Sequence, residues 1–167
     1  PLVIPKQSIL ELDIFKKYKK QNQFNIAWWG VASYLHGFDF LFSEFETIFA
    51  ENSKVKLNIF EISNDRLDQI KIIAKNNISP KYFKRINFRC DLNMKNGLRD
   101  WLKNYCHLSI GPLGFTPHGL SSLANKVIES WEMGIPVVSQ KSKPISELNI
   151  DNLVIYDEFI KGNVAEN

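Results

Sequence analysis

The sequence predicts an α/β fold in which a doubly wound, parallel β-sheet is flanked by helices. From Asn25 onward, apolar runs of strand length alternate with segments of helical period. Parallel strands need long crossover connections, and the intervening helices supply them. The chain has 167 residues, 44% hydrophobic and 23% charged, which is usual for one globular domain.

The first half of the chain is predicted to contain three strand and helix pairs. We predict strands over residues 25–30, 55–62 and 85–90. Asn64 is expected to cap the second helix, and a short third helix over 97–105 turns Trp101 and Leu102 inward. The first helix carries an apolar stripe with the spacing that covers a sheet face, made of Phe38, Leu41, Phe42, Phe45, Ile48 and Phe49.

The second half is predicted to add strands over 107–110, 136–140 and 153–156. Between the first two lies a predicted helix over about 123–133, which Gly134 is well placed to end. Lys126 and Glu129 are three residues apart and fall together on another side of this helix, where they could form a surface ion pair. Its buried stripe is expected to contain Leu120, Leu123, Ala124, Val127, Ile128 and Trp131.

Residues 1–24 are interpreted as a linker or edge segment, and residues 25–167 as the domain itself. The chain begins at Pro1, and we expect it to be a fragment of a longer protein. The net charge of +3 is mild, so no nucleic-acid partner is expected. Basic residues cluster in one place, which predicts a solvated helix face, with contact to an anionic membrane surface as the alternative: Lys16, Lys17, Lys19 and Lys20.

Cysteine content and hydropathy favour a cytoplasmic protein. Only Cys90 and Cys106 occur, too few for a disulfide framework. No apolar run approaches the roughly 20 residues that span a bilayer. No Asp-x-Asp and no His, Cys, Asp or Glu cluster has metal-ligand spacing, so neither a metal nor another cofactor is expected.

Candidate chemistry lies at the carboxyl edge of the predicted sheet, where open α/β folds bind their ligands. We expect a cleft there, bordered by the turns after Gly30 and Ile110. The second turn contains glycine and leads into a helix amino terminus, an arrangement that suits phosphate. It is not a P-loop, because Leu120 stands where the Walker lysine would be, and no Gly-x-Gly-x-x-Gly occurs.

Four segments together resemble the donor-binding, C-terminal domain of retaining GT-B glycosyltransferases of the group 1, family 4 type. The resemblance covers residues from about 25 to 157. The segments are Ala27-Trp28-Trp29-Gly30, His36-Gly37-Phe38-Asp39, Asn125-Lys126-Val127-Ile128-Glu129 and Met133-Gly134-Ile135-Pro136-Val137-Val138.

The resemblance implies one Rossmann-like half of a GT-B enzyme that takes a hexose from a UDP or GDP sugar without a metal. Lys126 and His36 would stabilise charge on the leaving β-phosphate, with His36 as a partly charged or hydrogen-bonding substitute for a family lysine. Glu129 would accept hydrogen bonds from the ribose hydroxyls. The other implied donor-binding residues are Gly30, Ser33, Gly37, Asp91, Phe115, Thr116, His118, Ser121 and Ser122.

The acceptor would bind an N-terminal domain of the same protein, so the isolated chain is expected to be inactive. Two positions depart from the family pattern. Ser121 replaces the first of two family glutamates, and Val31 replaces an arginine that contacts the pyrophosphate. These departures keep open an alternative, a degenerate, non-catalytic nucleotide- or sugar-binding module of the same fold.

Overall fold

The computed structural model describes residues 22–147 and the backbone of residues 153–155. Within them lie six strands, seven α-helices and one 3-10 turn, Tyr34–His36. The strands are β1 Phe24–Gly30, β2 Val55–Glu61, β3 Ile86–Arg89, β4 Leu108–Ile110, β5 Val137–Ser139 and β6 Leu153–Ile155. The helices are α1 Phe38–Glu51, α2 Asn64–Asn77, α3 Pro80–Phe83, α4 Leu98–Tyr105, α5 Pro117–Ser121, α6 Asn125–Glu132 and α7 Lys143–Glu147.

The six strands form one sheet in the order β3-β2-β1-β4-β5-β6, and every neighbouring pair is parallel. The chain first builds outward from β1 to β3 and then crosses back to β4, so the direction of winding reverses between β1 and β4. This arrangement confirms the predicted doubly wound, parallel α/β fold. It also creates the topological switch point at which such sheets bind ligands.

Helices pack on both faces of the sheet because side chains alternate along the central strand. Ile26 and Trp28 belong to the core cluster with the apolar faces of α1 and α2. Ala27 and Trp29 belong to a second cluster with Leu98 of α4. The inward orientation predicted for Leu102 is confirmed, since it is fully buried in that second cluster.

The helix predicted over 123–133 is shorter than expected. Thr116 caps the separate helix α5, and the chain is extended at Ser122 and Ala124 before α6 begins. This break removes Leu120 from the helical phase of α6. Leu120, which was expected on the buried stripe, is therefore 41% exposed. Ile128, also expected there, lies within α6 on its outer side and is 38% exposed.

Other boundaries differ by a residue or two. β1 begins at Phe24, inside the predicted linker, and Ser63 rather than Asn64 occupies the N-cap of α2. The Lys-rich segment with Lys16, Lys17, Lys19 and Lys20 lies outside the described residues, as does Tyr156 after β6. No helix in the described part of the chain has the length and apolar character needed to cross a membrane.

Candidate functional site

The loops that follow β1 and β4 meet at the switch point. Gly114 N donates to Leu35 O at 3.0 Å. A Cβ on Gly37 would lie 2.6 Å from Leu113 O, and one on Gly114 would lie 2.6 Å from Leu35 O. The two turns therefore touch each other at this point, and the cleft expected at the carboxyl edge of the sheet stays a prediction. Two concavities of about 580 and 530 Å³ lie elsewhere, at β3 and at the amino end of β1.

Lys126 extends from the first turn of α6 beneath these loops. Its side chain passes Gly30, where an added Cβ would lie 3.7 Å from Nζ. Nζ lies 4.0 Å from the centroid of the Trp28 ring. The residue is 7% exposed, and within residues 22–147 its ammonium has no hydrogen-bond partner.

These contacts correct two expectations about Lys126. It is not half of a surface ion pair, and it does not lie outside the core, because its side chain is buried with the ammonium over the ring of Trp28. Burial lowers the pKa of Lys126 well below its ordinary 10.5, and the nearby charges of Glu129 and Glu61 oppose that shift. The site thus contains a desolvated amine at the carboxyl edge of the sheet.

His36 packs beside this amine. Its ring meets Trp28 edge-on, with 5.0 Å between centroids. Nε2 lies 3.1 Å from the Val31 carbonyl oxygen, and Nδ1 is buried without a partner among the described residues. Burial and then the charge of Lys126 lower the pKa of His36 from 6.5 to about 3. A pKa near 3 keeps the ring neutral near pH 7 in the chain without ligand. The two roles expected of His36 toward a ligand, partial charge or hydrogen bonding, stay predictions.

Glu129 lies one turn after Lys126 on α6 and is partly buried. Its Oε2 accepts a hydrogen bond from Trp29 Nε1 at 2.8 Å. The two tryptophans that end β1 thus contact the two predicted ligand-binding residues of α6, Trp28 through its ring and Trp29 through its N–H. The structure brings Lys126, Glu129 and Gly30 together at one edge.

Glu61, the last residue of β2, is a buried charge that the sequence analysis did not single out. Its carboxylate is fully buried and accepts from Ala32 N at 2.5 Å, Ile62 N at 2.8 Å and Ser63 N at 3.3 Å. Arg66 Nε adds a contact of 3.3 Å. The sequence pattern that could have identified Glu61 is an acidic residue at the end of an apolar strand, at the edge of the sheet where ligands bind.

Gln140, directly after β5, was also missed. It is 1% exposed, and its Oε1 accepts from Phe115 N at 2.7 Å. The backbone N–H of Gln140 donates to Pro112 O at 2.9 Å. Gln140 therefore fixes the loop after β4 to the end of β5, and a single amide in a loop gave no signal for this role.

Most loop residues predicted to bind the donor already make local contacts. Thr116 Oγ1 accepts from Gly119 N at 3.1 Å as the cap of α5. Ser121 Oγ donates to the carbonyl oxygen of the exposed His118 at 3.1 Å. Ser122 ends α5. Phe115 is 39% exposed with a left-handed φ of 49°.

Two predicted residues lie at the margins of the site. Ser33 precedes the 3-10 turn, and its carbonyl accepts from His36 N at 3.1 Å. Asp91 follows the edge strand β3 and is held by Arg89 through bonds of 2.9 and 2.6 Å. β2 lies between β3 and β1, which separates Asp91 from Gly30 by roughly 10 Å, two strand spacings. The structure therefore does not bring Asp91 to Lys126.

The residues that the structure describes contain no group of three or more His, Cys, Asp or Glu side chains that could hold a metal ion. No protein-family model and no curated protein sequence matches the chain. Solved structures do match it.

The chain is similar to the α,α-trehalose 6-phosphate synthase of Burkholderia multivorans, with a TM-score of 0.54 at 13% identity. That match covers 88% of this chain and 37% of the synthase. For the UDP-forming α,α-trehalose-phosphate synthase of Burkholderia vietnamiensis the TM-score is 0.55 at 12% identity, covering 90% and 36%. For the trehalose-6-phosphate synthase OtsA it is 0.55 at 15% identity, covering 93% and 36%.

The chain thus spans little more than a third of the length of these synthases. At such low identity the likeness establishes the fold. This chain shares the Rossmann-like, doubly wound α/β fold of one part of these synthases.

Proposed function

We propose that this chain is the donor-binding part of a retaining, metal-independent glycosyltransferase that transfers a hexose from a nucleoside-diphosphate sugar. The acceptor would bind an N-terminal domain of the same protein. The extent of the likeness supports this division, because the matched synthases continue well beyond the matched part. Two of the similar structures are described as UDP-forming, which makes UDP the first ligand to test.

The observation that carries the proposal is the buried ammonium of Lys126 at the switch point. A desolvated amine without a hydrogen-bond partner is costly for a fold to maintain, since a buried polar group normally finds a partner. A diphosphate would supply that partner. Its negative charge would also favour the charged form of the amine and so raise the pKa of Lys126.

The chemistry required of Lys126 is stabilisation of the leaving group. Cleavage of the sugar-phosphate bond places negative charge on the β-phosphate, and a fixed positive charge there stabilises the transition state. For this to happen the ammonium must leave the Trp28 ring, which it contacts at 4.0 Å. Glu129, one turn along α6, would accept from the ribose hydroxyls.

Calorimetric titration of the chain with UDP, GDP, uridine and pyrophosphate tests the proposal. Glu129→Gln should weaken UDP binding by about 1.5–3 kcal/mol, the range for hydrogen bonds to a charged group. Lys126→Met should weaken UDP and pyrophosphate binding and leave uridine binding nearly unchanged, because its partner is phosphate. Glu132→Gln is the matched control, since Glu132 is on the same helix but exposed and paired with Arg99 at 3.1 Å.

A specific set of observations favours a second candidate, a degenerate, non-catalytic binding module. His36 is neutral, and Ser121 is bonded to its own helix. Val31, in the place of a family arginine, is 49% exposed and carries no charge. Absence of UDP and GDP binding at millimolar concentration would support this alternative over the donor-binding proposal.

A further inference from the structure

The paired tryptophans at the end of β1 lie in different parts of the core. Trp28 belongs to the cluster formed with α1 and α2, and Trp29 belongs to the cluster formed with α4, because neighbouring side chains of a strand point to opposite faces. Trp29 is 3% exposed. Its indole is therefore held rigidly by packing and has little freedom to follow a mobile partner.

The indole N–H of Trp29, its single side-chain donor, donates to the Glu129 carboxylate. The bond from Nε1 to Oε2 measures 2.8 Å and joins residues 100 positions apart in the sequence. In the described part of the chain, this is the one hydrogen bond that the Glu129 carboxylate accepts. Oε2 is thus anchored to the sheet, and Oε1 is left for another donor.

We propose that Trp29 is a positioning residue that orients Glu129 for the hydroxyls of a ribose. The inference rests on the proposed function, since it assigns Trp29 a role at the same site. A free glutamate side chain loses rotamer entropy on binding, and an anchored one has lost it already on folding. Trp29 therefore favours a ligand that carries ribose over a bare diphosphate.

A purely structural role for Trp29 predicts something different. Removing the indole N–H would then change the stability of the chain but would affect all ligands alike. A positioning role predicts a loss confined to ligands that carry ribose. The test therefore compares UDP with inorganic pyrophosphate on the same variants.

The experiment is calorimetric titration of Trp29→Phe, Glu129→Gln and the double variant with both ligands. Trp29→Phe should weaken UDP binding by about three- to tenfold, the net effect of one hydrogen bond, and leave pyrophosphate binding unchanged. The double variant should bind UDP no more weakly than Glu129→Gln alone, because the two residues act through one contact. Trp101→Phe is the control, since Trp101 packs against the same cluster and, among the described residues, makes no hydrogen bond to Glu129.

Equal losses for UDP and pyrophosphate in Trp29→Phe, or additive losses in the double variant, would overturn the inference while leaving the proposed function intact. An unchanged UDP affinity in Glu129→Gln would instead refute the ribose role on which the inference rests. If Trp29→Phe does not fold, the test moves to the four indole N–H resonances of the nitrogen-15-labelled chain. UDP should shift the Trp29 resonance and pyrophosphate should not, and a resonance insensitive to UDP would overturn the inference.

Discussion

Lys126 illustrates how one residue can combine a binding role with a folding cost. Its ammonium is stabilised by the Trp28 ring at 4.0 Å and by the charges of Glu129 and Glu61. Burial removes the water around the ammonium, and this desolvation is unfavourable. Desolvation is the larger effect, so the pKa of Lys126 is lowered in the folded chain. The unfolded chain has no such burial, and its lysine titrates near the ordinary 10.5.

The pH dependence of stability follows from this difference. Between the two pKa values the unfolded chain binds more protons than the folded chain, so the free energy of unfolding rises with pH up to the ordinary 10.5. Lys126→Met keeps an unbranched side chain against Trp28 and removes the titrating group. Its free energy of unfolding should exceed that of the natural chain at neutral pH and rise less steeply as the pH approaches 10.5.

Urea denaturation at several pH values measures both quantities. Lys54→Met provides the control, because Lys54 is an exposed lysine at the opposite end of the sheet. A Lys126→Met chain that is less stable than the natural one at neutral pH, with the same pH slope, would contradict the lowered pKa.

At the scale of elements, the carboxyl end of β2 organises the loop that follows β1. Glu61 accepts hydrogen bonds from Ala32 in that loop and from Ile62 and Ser63 at the start of α2. One buried carboxylate thus connects two segments that border the site. The first of them contains the turn in which His36 lies.

Glu61→Gln should destabilise the chain by about 1.5–3 kcal/mol, the range for hydrogen bonds to a charged acceptor. A glutamine nitrogen cannot accept, so at least one buried N–H would lose its partner. Urea denaturation beside Glu132→Gln checks this, because loss of the exposed pair with Arg99 should cost less than about 1 kcal/mol. Equal effects of the two substitutions would show that the Glu61 carboxylate is not required by the fold.

At the scale of the whole molecule, the site is assembled from both halves of the sheet. Gly30 and His36 come from the first winding direction, and Lys126 and Glu129 come from the second. The loops between them are in contact through Gly37 and Gly114. In the proposed enzyme, acceptor binding and reactant positioning would depend on a second domain.

The 167-residue chain is therefore expected to bind UDP and to transfer no sugar to any acceptor. Incubation with radiolabelled UDP-hexoses and candidate acceptors measures transfer, and titration with UDP under the same conditions confirms that the chain is folded and competent to bind. Multiple turnovers by this chain alone would contradict the proposal that donor and acceptor bind to different domains.

The fold class and the order of the elements were predictable from the amino-acid sequence. Apolar alternation and helical period are local properties, so six strands and their order along the chain could be read from neighbouring residues. The segment 125–129 also identified Lys126 and Glu129 as candidates. The break at Ser122 and Ala124 was missed because the apolar stripe continues across it in sequence but not in space.

The burial of Lys126 and the orientation of Glu129 became visible only in the tertiary structure. The burial of Lys126 brings its ammonium over the Trp28 ring, and the anchoring of Glu129 depends on Trp29. Each contact joins residues far apart in the chain. The physical reason is that burial and desolvation are set by which surfaces meet across the sheet, and no local period records that information.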